Sequence, residues 1–124
     1  MARSGGCSCG QVRYALGGKP TRVGVCHCTS CRHETGSVAM VFGVWPRAAF
    51  KSEGETRAWK GRSFCPTCGS RLFSLGEDEV EIKVGTLDGA PTDLTPQYEL
   101  WVWRREKWLH PIEGARQFQR DREP

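Results

Sequence analysis

Eight residues, Cys26-His27-Cys28-Thr29-Ser30-Cys31-Arg32-His33, place three thiols and two imidazoles in one short stretch. Thiolate and imidazole are the preferred ligands of zinc. Two more groups lie elsewhere, Cys7-Ser-Cys9-Gly and Cys65-Pro-Thr-Cys68-Gly. The last has the form of a zinc knuckle, two thiolates three positions apart. A tight turn there aims backbone N–H groups at sulfur, and the following Gly permits a positive φ. One knuckle supplies two ligands and needs a partner.

Counting ligands sorts the seven cysteines into two sets. Cys7 and Cys9 with Cys65 and Cys68 make four thiolates, the closed tetrahedron of a structural zinc. Cys26, Cys28 and Cys31 then remain as three. Three protein ligands with one open position is the pattern of a catalytic zinc. The alternative is a closed second site completed by His27 or His33; of these, His27 is poorly placed between two ligating cysteines. A third reading leaves the triplet metal-free, as oxidisable thiols.

The chain of 124 residues is expected to form one domain, with a core over about 5–118. A domain of this size gains from metal staples. The net charge of +4 is mild and does not announce nucleic acid. The start, MARSGGCSCG, has no apolar signal core, and no apolar run approaches the roughly 20 residues of a membrane span. A cytoplasmic location is expected. A reducing compartment turns so many cysteines toward metal or catalysis rather than disulfides, and an odd number leaves one thiol unpaired.

The elements that must position these ligands read as strands. QVRYAL alternates Val12, Tyr14 and Leu16, and EVEIKV alternates Val80, Ile82 and Val84 against Glu79, Glu81 and Lys83. TRVGVC, SVAMVFGVW and YELWVW are further strand candidates, separated by turn segments such as SEGE and LGED. Only RAAF after Pro46 suggests a helical turn. The fold class is therefore all-β, small antiparallel sheets in a sandwich or barrel with little or no helix. The five tryptophans are expected in the core and at strand ends rather than as a ligand platform.

GGCSCGQVRY, CHCTSCR, FCPTCGSRLF and GTLD, in this order, resemble the glutathione-dependent formaldehyde-activating enzyme (Gfa) family, which also contains the centromere protein V relatives. The resemblance implies an Mss4-like zinc-binding fold and two zinc ions per chain. Cys7, Cys9, Cys65 and Cys68 would hold the structural ion, and Cys26, Cys28 and Cys31 the second. It implies a carbon–sulfur lyase that joins glutathione to formaldehyde. An open zinc position could bind the glutathione thiol and lower its pKa. Arg32 and His33 adjoin the second ligand set and could offset its negative charge, and Arg71 or Arg104 could meet glutathione carboxylates. After Pro96 the family pattern often carries a His before an apolar pair, whereas this chain reads Gln97-Tyr98-Glu99-Leu100-Trp101.

Two other functions compete. A non-catalytic zinc-stabilised module could bind protein or nucleic acid through WRREKW and RQFQRDRE, although acidic residues interrupt both basic runs. A redox or metal-handling protein could use the triplet. Partners are thus a small thiol first, with no membrane and an open oligomeric state.

Overall fold

The computed structural model describes residues 2–123. The chain divides into two compact units, Met1–Thr21 with Gly43–Asp93, and Arg22–Phe42 with Leu94–Pro124.

The first unit holds β1 (Ala2–Gly6), β2 (Arg13–Gly17), β5 (Phe50–Glu53), β6 (Arg57–Trp59), β7 (Arg62–Phe64), β8 (Arg71–Leu75) and β9 (Glu79–Lys83). β3 and β4, defined below, fall between them in chain order. β1, β2 and β5 pair antiparallel, with Tyr14 opposite Gly5 on one side and Ser52 on the other. β6 to β9 form an antiparallel meander. As the alternation predicts, Val12, Tyr14 and Leu16 are buried, as are Val80 and Ile82. Edge-to-face contacts join Tyr14 to Phe73 at 5.9 Å and Phe50 to Phe73 at 4.9 Å, so both strand groups feed one aromatic core.

Two details depart from the pattern. Lys83 is buried rather than on a polar face. The alternation ends there, because β9 gives way to a 3₁₀ turn over Val84–Thr86. β1 has no apolar alternation in ARSGG. It is a strand by pairing, with Gly5 buried beneath Tyr14 and Thr86, where an added Cβ would lie 2.5 Å from the Thr86 carbonyl.

The second unit holds β3 (Arg22–Cys26), α1 (Thr29–Thr35), β10 (Tyr98–Leu100) and β11 (Arg116–Gln117). β4 (Met40–Pro46) begins in this unit and runs into the first. β10 pairs with β3 on one side and β11 on the other, both in parallel, with Tyr98 opposite Gly24 and Arg116. The fold is mainly β, as the sequence implies, but this pairing is parallel where antiparallel sheets were expected. Parallel neighbours need a long connection, and most of the chain lies between β3 and β10. Tyr98 packs edge-on to Phe42 and Phe118. YELWVW is a strand only as far as Leu100, because Trp101 takes a left-handed conformation, φ 55°.

Helix α1 has no counterpart among the expected elements. Seven residues are too few to show a 3.6-residue period. Its cap is also unusual, since Cys28 Sγ accepts the Cys31 N–H. Gly36 closes it at φ 70° with its N–H on the Arg32 carbonyl.

Gly54 has φ 94°, and a Cβ there would stand 2.1 Å from the Gln11 carbonyl oxygen. Gly54→Ala combines a left-handed penalty with a backbone collision. It is expected to cost about 3 kcal/mol, measurable as a lowered urea midpoint at unchanged m-value.

Candidate metal centres

The structure brings the cysteines together as two groups. The sulfurs of Cys7, Cys9, Cys65 and Cys68 lie within 4.8 Å of one another, and so do those of Cys26, Cys28 and Cys31. Each group belongs to one unit, the four to the first and the three to the second.

The four-sulfur group is built by two matching turns. Cys7 and Cys9 occupy the turn between β1 and β2, where the Gly10 N–H reaches the Cys7 carbonyl at 3.1 Å. Cys65 and Cys68 occupy the turn between β7 and β8, where the Gly69 N–H reaches the Cys65 carbonyl at 2.8 Å. Both glycines have positive φ, 81° and 78°. Amides point at sulfur, Val12 N to Cys7 Sγ at 3.2 Å and Cys68 N to Cys65 Sγ at 3.5 Å. The Ser8 N–H donates to Ser70 Oγ at 3.0 Å and ties one turn to the other. Cys9 Sγ stands 3.6 Å from Cys7 Sγ and 3.7 Å from Cys65 Sγ. A tetrahedron with Zn–S of about 2.3 Å has edges of about 3.8 Å. These separations fit a metal ion and lie far beyond the ~2.05 Å of a disulfide. The Ser70 hydroxyl and amide hold the Cys68 thiol down at about 5, the thiolate form a metal requires.

GTLD lies in the same unit. The Thr86 hydroxyl donates to the Lys83 carbonyl and meets the Tyr14 hydroxyl at 2.6 Å. Asp88 accepts from Arg13 and Ser4, which hold its carboxyl at about 2. The motif anchors the β1–β2 hairpin that carries Cys7 and Cys9.

In the three-sulfur group, Cys26 ends β3, Cys28 caps α1 and Cys31 follows within the helix. Crowding against Cys26, with burial, pushes the Cys31 thiol well above its ordinary value. A cation among the sulfurs removes that penalty, so this donor set also fits a metal. Neither His27 nor His33 joins the group among the described residues.

His27 is instead fully buried, 0% exposed, with Nε2 2.8 Å from Glu99 Oε1. Glu99 is 2% exposed. Burial alone would raise its carboxyl. The Gln117 amide, the Ile112 N–H, His27 and the Arg105 guanidinium outweigh burial and hold it at about 2. Ionised Glu99 only accepts, so Nε2 carries the proton of this hydrogen bond. Nδ1 has no hydrogen-bond partner among the described residues. Sequence reasoning missed this network. The available signal was Glu99 itself, a lone acid inside an otherwise apolar strand.

Arg32 pairs with Glu106 at 2.7 Å and donates to the Arg104 carbonyl at 3.2 Å. His33 is exposed. Both line a groove of about 700 Å3 with Trp103, Arg104, Lys107 and Trp108. Arg71 lies elsewhere, over the Phe64 ring in the first unit. The tryptophan expectation holds for Trp45, which is buried with its indole N–H on the Gly18 carbonyl. Trp59 is 61% exposed, Trp103 70% and Trp108 66%, so these three are not core residues. Trp59 sits on an edge hairpin beneath Lys60, and the other two wall the groove.

A family model described as glutathione-dependent formaldehyde-activating enzyme matches residues 2–104. The chain belongs to this family. Both cysteine groups of a Gfa-type protein therefore fall within the matched span, as does Glu99. No curated protein sequence matches the chain significantly. Among solved structures, the crystal structure of a Rhodobacter sphaeroides protein is similar, at TM-score 0.55 and 20% identity over 75% of this chain and 97% of that one. That likeness supports the fold. No helix among the described residues is long and apolar enough to cross a membrane.

Proposed function

We propose that the chain is a zinc-dependent carbon–sulfur lyase of the Gfa type. It takes a small thiol such as glutathione at the three-cysteine site and adds it to formaldehyde or a similar electrophile. The observation that carries this reading is a set of three sulfurs with no fourth His, Cys, Asp or Glu ligand among the described residues. Zinc bound there supplies a cation that favours the thiolate of an incoming thiol at neutral pH.

The addition forms one S–C bond, opens the C=O double bond and moves the thiol proton to the carbonyl oxygen. Nothing is oxidised or reduced. The chain's own residues supply positioning. Cys28, as helix cap, and Cys31, three residues on, hold two sulfurs on one side of α1, and the end of β3 holds Cys26. Three thiolates around a divalent ion leave a formal charge of −1. Arg32 and His33 are next to the ligands in the chain, and the Arg32 guanidinium offsets part of that charge. His27, anchored by Glu99, fixes the segment between Cys26 and Cys28. The four-cysteine site serves as the structural zinc.

Metal analysis under reducing conditions, with and without saturating glutathione, tests this reading. Two zinc ions per chain are expected, with glutathione perturbing one of them. Cobalt-substituted protein should show the change in its thiolate charge-transfer bands, and carbon-13 formaldehyde should give the S-hydroxymethyl adduct faster than the uncatalysed reaction. Two ions that both ignore glutathione would remove the open-site reading.

A further inference from the structure

We infer that the groove beside α1 binds a planar aromatic anion. The inference goes beyond the thiol-addition reading and stands independently of it. One wall of the groove is Arg32 and His33, on the helix that carries Cys31. The other wall comes from the segment after β10, with Trp103, Arg104, Lys107 and Trp108. Its volume of about 700 Å3 is in the range of small-molecule sites. Formaldehyde has two heavy atoms and glutathione has no ring, so neither gives two indoles anything to stack on. Tryptophans 70% and 66% exposed leave much apolar surface in water unless a ligand covers it.

The charges define the rest of the ligand. Arg32 is committed to Glu106 and Arg105 to Glu99. The side chains of Arg104 and Lys107 have no ion-pair partner among the described residues, so the groove offers two uncommitted cations along with its two indoles. A carboxylate on an aromatic ring meets both demands. The backbone is held so as to make this surface. Trp101, a bulky residue in the left-handed region at φ 55°, ends β10 and starts the 3₁₀ turn Val102–Arg104 that presents Trp103 and Arg104. Its amide is tied to the Arg120 carbonyl at 3.0 Å and its indole N–H to Asp121 at 2.9 Å.

Calorimetric titration of the zinc-loaded full chain tests the inference with three probes: 4-formylbenzoate, benzaldehyde, which lacks the acid, and glyoxylate, which lacks the ring. The first should bind about tenfold or more tighter than either fragment. Trp108→Ala and Lys107→Met should each weaken it about tenfold, at unchanged zinc content and melting temperature. Equal binding of all three probes, or undiminished binding of 4-formylbenzoate to Trp103→Ala/Trp108→Ala, would overturn the inference. Glutathione is titrated separately, read by the second zinc. Thiol binding without aryl binding overturns this inference and leaves the thiol reading standing. Aryl binding without thiol binding does the reverse.

Discussion

Cys65→Ser is expected to leave a chain with no cooperative thermal transition, while Cys31→Ser folds and loses one metal ion. Cys65 is fully buried, and its sulfur sits 3.7 Å from that of Cys9, 56 positions away in the chain. The ligand set joins two hairpin turns of one unit, so binding a metal there closes that long loop. Structural zinc contributes an apparent 10–16 kcal/mol or so in small domains, as much as the roughly 5–15 kcal/mol stability of a whole domain. Losing one of four ligands therefore removes the margin of the first unit. The second unit differs. It has its own aromatic cluster of Phe42, Tyr98 and Phe118, and its cysteines lie within six residues of one another. Far-ultraviolet circular dichroism, thermal melting and zinc content of both variants decide the matter. A folded Cys65→Ser with an unfolded Cys31→Ser would reverse the two roles.

The second large effect concerns Glu99. Glu99→Ala removes the acceptor shared by His27, the Ile112 N–H and the Gln117 amide, and leaves the Arg105 charge without its partner. Breaking one side of such a buried network costs about 3–5 kcal/mol. The same carboxylate makes stability depend on pH. Its folded value of about 2 lies below the ordinary 4.5. The stabilisation is therefore full above about pH 4.5 and disappears as pH falls through 2. A depression of this size corresponds to about 3 kcal/mol. Acid also protonates the zinc thiolates, so the informative quantity is a difference. The unfolding free energy of the wild type minus that of Glu99→Gln, measured from pH 7 to pH 2, should be flat to about pH 5 and then shrink. A flat difference throughout would show that the folded and unfolded values of Glu99 coincide, so that the network does not favour its charged form.

The sequence by itself determined the chemistry-bearing residues and the fold class. Cysteine spacing is a local property, and C-x-C and C-x-x-C each place two sulfurs at one turn whatever the rest of the chain does. Alternation is local too, which is why Val12, Tyr14, Leu16, Val80 and Ile82 are buried as their period implies. Membership of the Gfa family follows from the same ordered motifs. Tertiary structure decided what depends on distant partners. The parallel placing of β10 between β3 and β11 joins segments that share no local signal. Helix α1 is seven residues held by a cysteine cap and a glycine stop, too short for its own period to declare it. The partnership of His27 with Glu99 spans 72 positions, and no spacing rule reaches that far. Trp103 and Trp108 read as core residues by type and are exposed, because burial is set by what packs against a side chain and not by its hydrophobicity.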